Sequence, residues 1–158
     1  MATRTSSAKP KLALLVVVVA VVAGAFAWWN GSSAEKELAD LSGVWTLTNT
    51  VVESNMDRYV GDVYVFEIYV TQHGVKLTGE GEQTLYNGKT ARSKFPIAFT
   101  DATINSDEVV IRYTIKGNRT TKGLFTLRPG SAGGTLSGTF ASAAADTKGT
   151  TVVSIARR

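Results

Sequence analysis

Eighteen consecutive residues near the N-terminus, from Leu12 to Trp29, carry no charged side chain. As a helix rising about 1.5 Å per residue, this run would be about 27 Å long, close to the ~30 Å hydrocarbon core of a bilayer. The run therefore predicts a single transmembrane helix over 12–29. It divides the chain into a basic tail, 1–11, the helix, a linker with a short helix, 30–42, and a separate domain, 43–158.

The charges on either side of the run predict its orientation. Arg4, Lys9 and Lys11 precede it without any acid, which leaves 14 of the 17 basic residues to balance 13 acidic residues after it. By the positive-inside rule, the N-terminus is cytoplasmic and the C-terminal domain periplasmic or otherwise extracytoplasmic. The near-neutral domain argues against a nucleic-acid partner, which would require clustered basic residues.

The alternative is a secreted protein whose signal peptide is cleaved near Ala27, since a basic start, an apolar run and small residues are its three expected regions. Retention is favoured because the apolar run continues past this point, and because Trp28 and Trp29 are typical of a membrane interface. Small residues also share one stripe of the predicted helix and favour packing against transmembrane subunits of a partner. The residues of this stripe are Ala13, Ala20, Gly24 and Ala27.

From Gly43 onward the apolar residues alternate with polar ones, and turn residues recur at fairly even spacing. Residues 109–116 alternate cleanly, and Asn87-Gly88 is a strong signal for a type I′ hairpin. This pattern predicts an all-β domain of about eight short antiparallel strands. An up-and-down barrel would leave no exposed edge, and a β-sandwich is the alternative.

The segment 62–72 is the most apolar of the predicted strands, because both of its faces are largely hydrophobic. One face would meet the core and the other a helix, a partner chain or the membrane surface. The candidate docking face consists of Val63, Val65, Glu67 and Tyr69. If Glu67 pointed inward instead, it would need a partner such as Arg112.

Gly43-Val44-Trp45 opens the first predicted strand, and Arg157 ends the last one. This pair resembles the Gly-x-Trp and terminal Arg of the lipocalin and calycin barrels. The resemblance implies that Trp45 and Arg157 meet in a cation–π contact where the first and last strands close the barrel. The chain departs from a full lipocalin in being shorter and in lacking cysteines and a late helix beside the barrel.

No nucleophile with a base, metal cluster or cofactor loop is visible, and a lone histidine, His73, cannot form a multi-histidine metal site. We therefore expect a non-catalytic protein without cofactor or metal. Arg112, Lys116, Arg119 and Lys122 form a modest basic patch around one predicted hairpin, suited to a solvated tip, lipid headgroups or an acidic surface.

Two functions follow as hypotheses. The first is a single-pass membrane protein whose β-domain is an accessory, stabilising subunit of a larger membrane complex. The second is a membrane-tethered, lipocalin-like carrier of a small lipophilic ligand. The side chains that would line its barrel are Trp45, Phe66, Tyr113 and Phe140.

Overall fold

The computed structural model describes residues 40–130 and 134–157 of the chain. The predicted transmembrane helix, its small-residue stripe of Ala13, Ala20, Gly24 and Ala27, and the interfacial Trp28 and Trp29 lie outside these ranges. Within them, none of the helices has the length and apolar character needed to cross a bilayer.

The described part of the chain forms nine β-strands and two short 3₁₀ turns, Asp57–Tyr59 and Ala144–Asp146. The strands are β1 Gly43–Glu53, β2 Val63–His73, β3 Lys76–Tyr86, β4 Lys89–Thr90, β5 Pro96–Asn105, β6 Glu108–Lys116, β7 Thr120–Pro129, β8 Thr135–Ser142 and β9 Thr147–Ala156.

Eight of these strands close into an up-and-down antiparallel barrel. Their order around the ring follows the chain, and pairing of β1 with β9 joins the first strand to the last. The two-residue β4 stands outside the ring and pairs only with the end of β3. The predicted barrel is confirmed, and the sandwich is excluded because every ring strand has a neighbour on both sides.

Strand β5 covers a stretch in which the sequence pattern alone indicates one strand at 95–100 and a second, short strand near Thr103. It is continuous, but its register with β6 shifts between Phe99 and Asp101. Ile97 faces inward before the shift, and Ala102 and Ile104 are buried after it, so the inward positions change from odd to even numbers. A bulge interrupts the alternation of inward and outward residues, so that the sequence pattern resembles the end of one strand and the start of another.

Glycines at 79 and 81 of the sequence suggest a bend or bulge in this strand, and the structure has an irregularity at Gly79, since the register of β3 with β5 shifts between Lys76 and Glu80. On the other side of β3, the register with β2 shifts beside Val65 and Phe66. The Phe99 ring lies 2.6 Å from the position that a Cβ of Gly79 would take. Glycine at this position therefore makes room for an aromatic ring inside the barrel.

The interior is densely packed at one end, which we call the closed end. Trp45, Leu47 and Ile111 are fully buried there, and the Trp45 and Phe99 rings meet edge to face with centroids 6.0 Å apart. Leu41, which is 9% exposed, covers this end. Its carbonyl accepts a 2.8 Å hydrogen bond from Trp45 Nε1, and its N–H donates to Gln72 Oε1 at 2.8 Å.

The same arrangement corrects the predicted contact between Trp45 and Arg157. Trp45 pairs with Ile155, so the first and last strands do meet at this end. However, the cation–π pair found within residues 40–130 and 134–157 is Arg58 over Tyr59, not Arg157 over Trp45. The indole is buried beneath Leu41, whereas Arg157 is exposed beyond the end of β9.

A candidate ligand cavity at the open end of the barrel

The opposite end, which we call the open end, is surrounded by the connections β1–β2, β3–β5, β6–β7 and β8–β9. Between them the barrel interior is hollow, with a cavity of ≈ 440 Å³. This volume lies within the range of about 300–1,000 Å³ typical of small-molecule sites. We call it the open-end cavity.

Aromatic and aliphatic side chains present most of the surface of the cavity, although polar side chains also line it. The aromatic lining residues are Tyr59, Tyr64, Phe66, Phe95, Tyr113 and Phe140. Asn49 and Gln83 add polar groups, although each is at least 95% buried. An apolar cavity with a few placed polar groups suits an organic molecule that is mostly hydrophobic.

Three of the four side chains expected to line a ligand site, Phe66, Tyr113 and Phe140, do line this cavity. Whether they bind a ligand remains a prediction. Trp45 does not belong to the lining, because the bulge in β5 brings Phe99 against it and Leu41 covers it at the closed end.

Tyr113 separates the packed half of the interior from the cavity. Its ring stacks on Phe125 at a centroid distance of 4.2 Å and occupies the space above Gly123, where a Cβ would overlap it. Its hydroxyl group donates a long hydrogen bond of 3.5 Å to the carbonyl oxygen of Ala141. Burial raises the pKa of Tyr113 to about 12, so the phenol stays neutral at physiological pH.

A buried carboxylate organises one side of the cavity rim. Asp62 is 8% exposed, and its Oδ2 accepts hydrogen bonds from Tyr86 at 2.7 Å and Tyr64 at 3.3 Å. Its Oδ1 accepts from Asn87 Nδ2 at 2.8 Å. Burial first, and the nearby Asp62 charge second, raise the pKa of Tyr64.

This cluster joins two rim segments that are distant in sequence. Asn87 pairs with Val63 through both its backbone N–H, at 2.8 Å, and its side-chain oxygen, at 2.7 Å. Asn87 and Gly88 have the positive φ angles, 48° and 74°, of the predicted type I′ turn. The turn is therefore anchored to the start of β2.

Nothing in the sequence marks Asp62, Tyr64 and Tyr86 as a cluster, and Asn87 is predicted there only as a turn residue. The spacing of these residues carries no signal, because they meet through the pairing of Tyr64 with Tyr86 across β2 and β3. Only knowledge of the register between β2 and β3 would predict that these residues are neighbours.

The predicted docking strand is β2, and its outward positions are unevenly exposed. Val63 and Val65 are half-buried, whereas Tyr69 is 52% exposed. Glu67 faces outward and accepts a 3.0 Å hydrogen bond from the Tyr69 hydroxyl. Arg112 is therefore not its partner; Arg112 lies opposite Asp101 on the outside of β6.

Of the predicted basic patch, Arg119 alone lines the open-end cavity. Arg112, Lys116 and Lys122 are exposed on the outside of the β6–β7 hairpin. The four residues of the predicted patch therefore do not share one surface: one belongs to the cavity wall and three belong to the outer surface of the barrel.

No protein-family model matches the sequence, and no curated protein sequence matches it. Solved structures do share its fold. A redesigned β-barrel, mFAP1, bound to DFHBI is 14% identical with a TM-score of 0.55, over 73% of this chain and 94% of that chain.

Two further solved structures are similar to the same extent. The redesigned barrel b11L5F_LGL has a TM-score of 0.57 and 14% identity over 74% of this chain and 92% of its own. The protein EF1p2_mFAP2b bound to DFHBI has a TM-score of 0.56 and 14% identity over 74% of this chain and 94% of its own. At this identity the likeness establishes the fold of the domain, a closed eight-stranded antiparallel barrel.

Proposed function

We propose that this protein is a membrane-tethered carrier that binds a small lipophilic molecule in its β-barrel. The observation that carries the proposal is the ≈ 440 Å³ open-end cavity with its aromatic wall. Phe66, Tyr113 and Phe140 line this cavity although each is at least 95% buried. The more exposed Tyr59, Tyr64 and Phe95 complete its aromatic wall.

Two further observations support a ligand over an accidental void. The polar groups around the cavity are satisfied: Asn49 Oδ1 accepts a 2.7 Å hydrogen bond from Thr151, and Gln83 Nε2 donates to the Leu85 carbonyl at 3.2 Å. The wall is therefore held in place without a ligand, as expected of a largely pre-formed site. Two of the structurally similar barrels are described as bound to DFHBI, so the fold accommodates small molecules.

The experiment fills the cavity without disturbing the packed half. Thr121 lines the cavity at the end of β7, whereas the neighbouring Thr120 is exposed. Thr121→Trp places an indole in the cavity, and Thr120→Trp is the matched control on the outside of the same strand. Tryptophan is well tolerated in strands, so both variants should fold.

The full-length wild type and both variants are incubated with a lipid and small-molecule extract of the source cells, repurified in the same neutral detergent, and analysed by mass spectrometry. We expect wild type and Thr120→Trp to retain the same compound and Thr121→Trp to lose it. Absence of any compound enriched on the wild type, or equal retention by Thr121→Trp, would contradict a carrier function.

The accessory-subunit hypothesis remains a second candidate because one outer face of the barrel lacks charge. Register places Val65, Thr48 and Val152 in one outward row across β2, β1 and β9, and Val152 is 55% exposed. Such a row suits the surface of a membrane protein partner. Chemical cross-linking in native membranes tests it: a partner linked in constant ratio through this face supports a subunit role, and a chain without cross-linked partners contradicts it.

A further inference from the structure

The charge that lines the open-end cavity is positive. Of the lining residues, Arg119 is the charged one, and there is no aspartate or glutamate among them. Its guanidinium has no ion pair or hydrogen bond with the described part of the chain, whereas Lys76, Lys94 and Arg128 are paired with acids on the barrel wall. The cavity therefore presents an uncompensated positive charge at its mouth.

The chain around Arg119 reinforces this charge. Lys116 and Lys122 belong to the same hairpin, and residues 113–130 contain no acidic residue. The β3–β5 connection, which carries Lys89 and Arg92, also lacks acids from 86 to 100. The two segments are neighbours at the rim, since the Phe95 ring lies 3.1 Å from the position of a Cβ on Gly117.

The acids of the rim do not neutralise Arg119. The Asp62 carboxylate is occupied by Tyr64, Tyr86 and Asn87. Asp57 and Asp146 lie on the β1–β2 and β8–β9 connections and are not part of the lining. These two connections contact each other, as the Asn55 N–H donates to the Ala145 carbonyl at 3.0 Å.

We propose that the ligand is an apolar carboxylate whose hydrophobic body fills the open-end cavity and whose carboxylate binds Arg119. This inference rests on the proposed carrier function and names its ligand class. A planar guanidinium can donate two parallel hydrogen bonds to a carboxylate. This pairing fixes the orientation of the carboxylate and balances its negative charge. The aromatic wall would then take a flat or acyl hydrocarbon body.

The test compares two probes of nearly equal shape, 2-naphthoate and its neutral analogue 2-naphthamide, by equilibrium dialysis against the full-length chain in one neutral detergent. We expect the wild type to bind the carboxylate about tenfold more tightly than the amide, the scale of one charge-assisted hydrogen-bonded pair. The preference should decrease as salt rises, because the mouth is exposed to solvent.

Arg119→Gln should abolish the preference while leaving binding of the amide unchanged, and Arg119→Lys should keep part of it. Arg112→Gln is the matched control, since it removes the same charge from the same hairpin but outside the cavity. Equal loss in Arg112→Gln would show a general charge effect and overturn the role of Arg119. Equal binding of both probes to the wild type would overturn the ligand class and leave the carrier function standing. If neither probe binds and no compound is retained from the extract, both the ligand class and the carrier function would be overturned.

Discussion

The closed and open ends of the barrel are built from the same eight strands, yet their interiors differ. At the closed end the inward side chains meet one another, with Trp45, Leu47 and Ile111 fully buried. At the open end the same strands surround a cavity. The polar groups differ as well: Leu41 and Gln72 seal the closed end, whereas the Asp62 cluster joins two rim segments beside the mouth of the cavity.

The difference teaches that an inward position in a barrel strand is not equivalent to a core position. Ile111 and Ile115 lie on the same face of β6, four residues apart, but Ile111 is fully buried and Ile115 lines the cavity. We infer that packing at the closed end supplies most of the stability of the domain, whereas the open end contains the candidate ligand cavity. This division can be measured.

The largest effect is expected from Ile111→Ala, which should lower the free energy of unfolding by about 2–5 kcal/mol because it leaves a new cavity among packed neighbours. Ile115→Ala makes the same chemical change beside space that is already empty, and should cost about 1 kcal/mol. Denaturant unfolding of both variants measures the difference. Equal losses would mean that the open end is packed as tightly as the closed end.

A smaller effect is expected from alkaline pH through Tyr113, which lies at the boundary between the two halves. Its folded-state pKa of about 12 is above the value near 10 of an unfolded tyrosine. The unfolded chain therefore loses this proton first, and the stability from the neutral buried phenol, present below pH 10, is lost as pH rises towards 12.

The loss from Tyr113 is on the order of 2 kcal/mol between pH 10 and 12. Tyr113→Phe should flatten this part of the profile while conserving the ring stacked on Phe125. Tyr64 and Tyr86, whose pKa values are also raised, contribute in the same direction. An unchanged slope in Tyr113→Phe would refute the assignment to this phenol.

The smallest effect is expected from Asp62→Asn at the rim of the open end. The amide keeps the shape but has a single acceptor oxygen, which can serve Tyr64 and Tyr86 through neutral hydrogen bonds. The bond from Asn87 is then lost, at a cost of about 1 kcal/mol because the exposed Asn87 amide can turn to water. Amide hydrogen exchange should increase at Asn87 and Val63 and stay unchanged at the closed end. Asp57→Asn, an exposed acid of the same connection, is the control and should change neither measurement.

Much of the fold could be predicted from the sequence because strand alternation and turn residues act locally. The alternation of residues 109–116 and the Asn87-Gly88 turn were predictable, and a barrel was the favoured arrangement with a sandwich as its alternative. The bulge in β5 was not, because an extra residue in a pleated strand depends on the register of its neighbours.

Of the candidate site, the aromatic residues Phe66, Tyr113 and Phe140 were predictable from strand patterning. Tyr59, Tyr64, Phe95 and the charged group were not. Arg119 is one member of the predicted basic patch, and its place in the β6–β7 turn at the mouth of the cavity separates it from Arg112, Lys116 and Lys122. The Asp62 cluster depends on the pairing of two strands. Both features require knowledge of which residues meet across the barrel.

The sequence by itself determined that the domain from Gly43 onward would consist of short antiparallel strands, since side chains in a strand alternate with period two whatever lies around them. The tertiary structure decided that these strands close into a barrel through pairing of the first strand with the last, and it decided which half of that barrel is filled. Packing depends on the summed volume of the inward side chains that the eight strands place at each height along the barrel axis. Leu41, Phe99 and Trp45 fill the closed end, whereas Arg119 and the aromatic rings surround a cavity at the other.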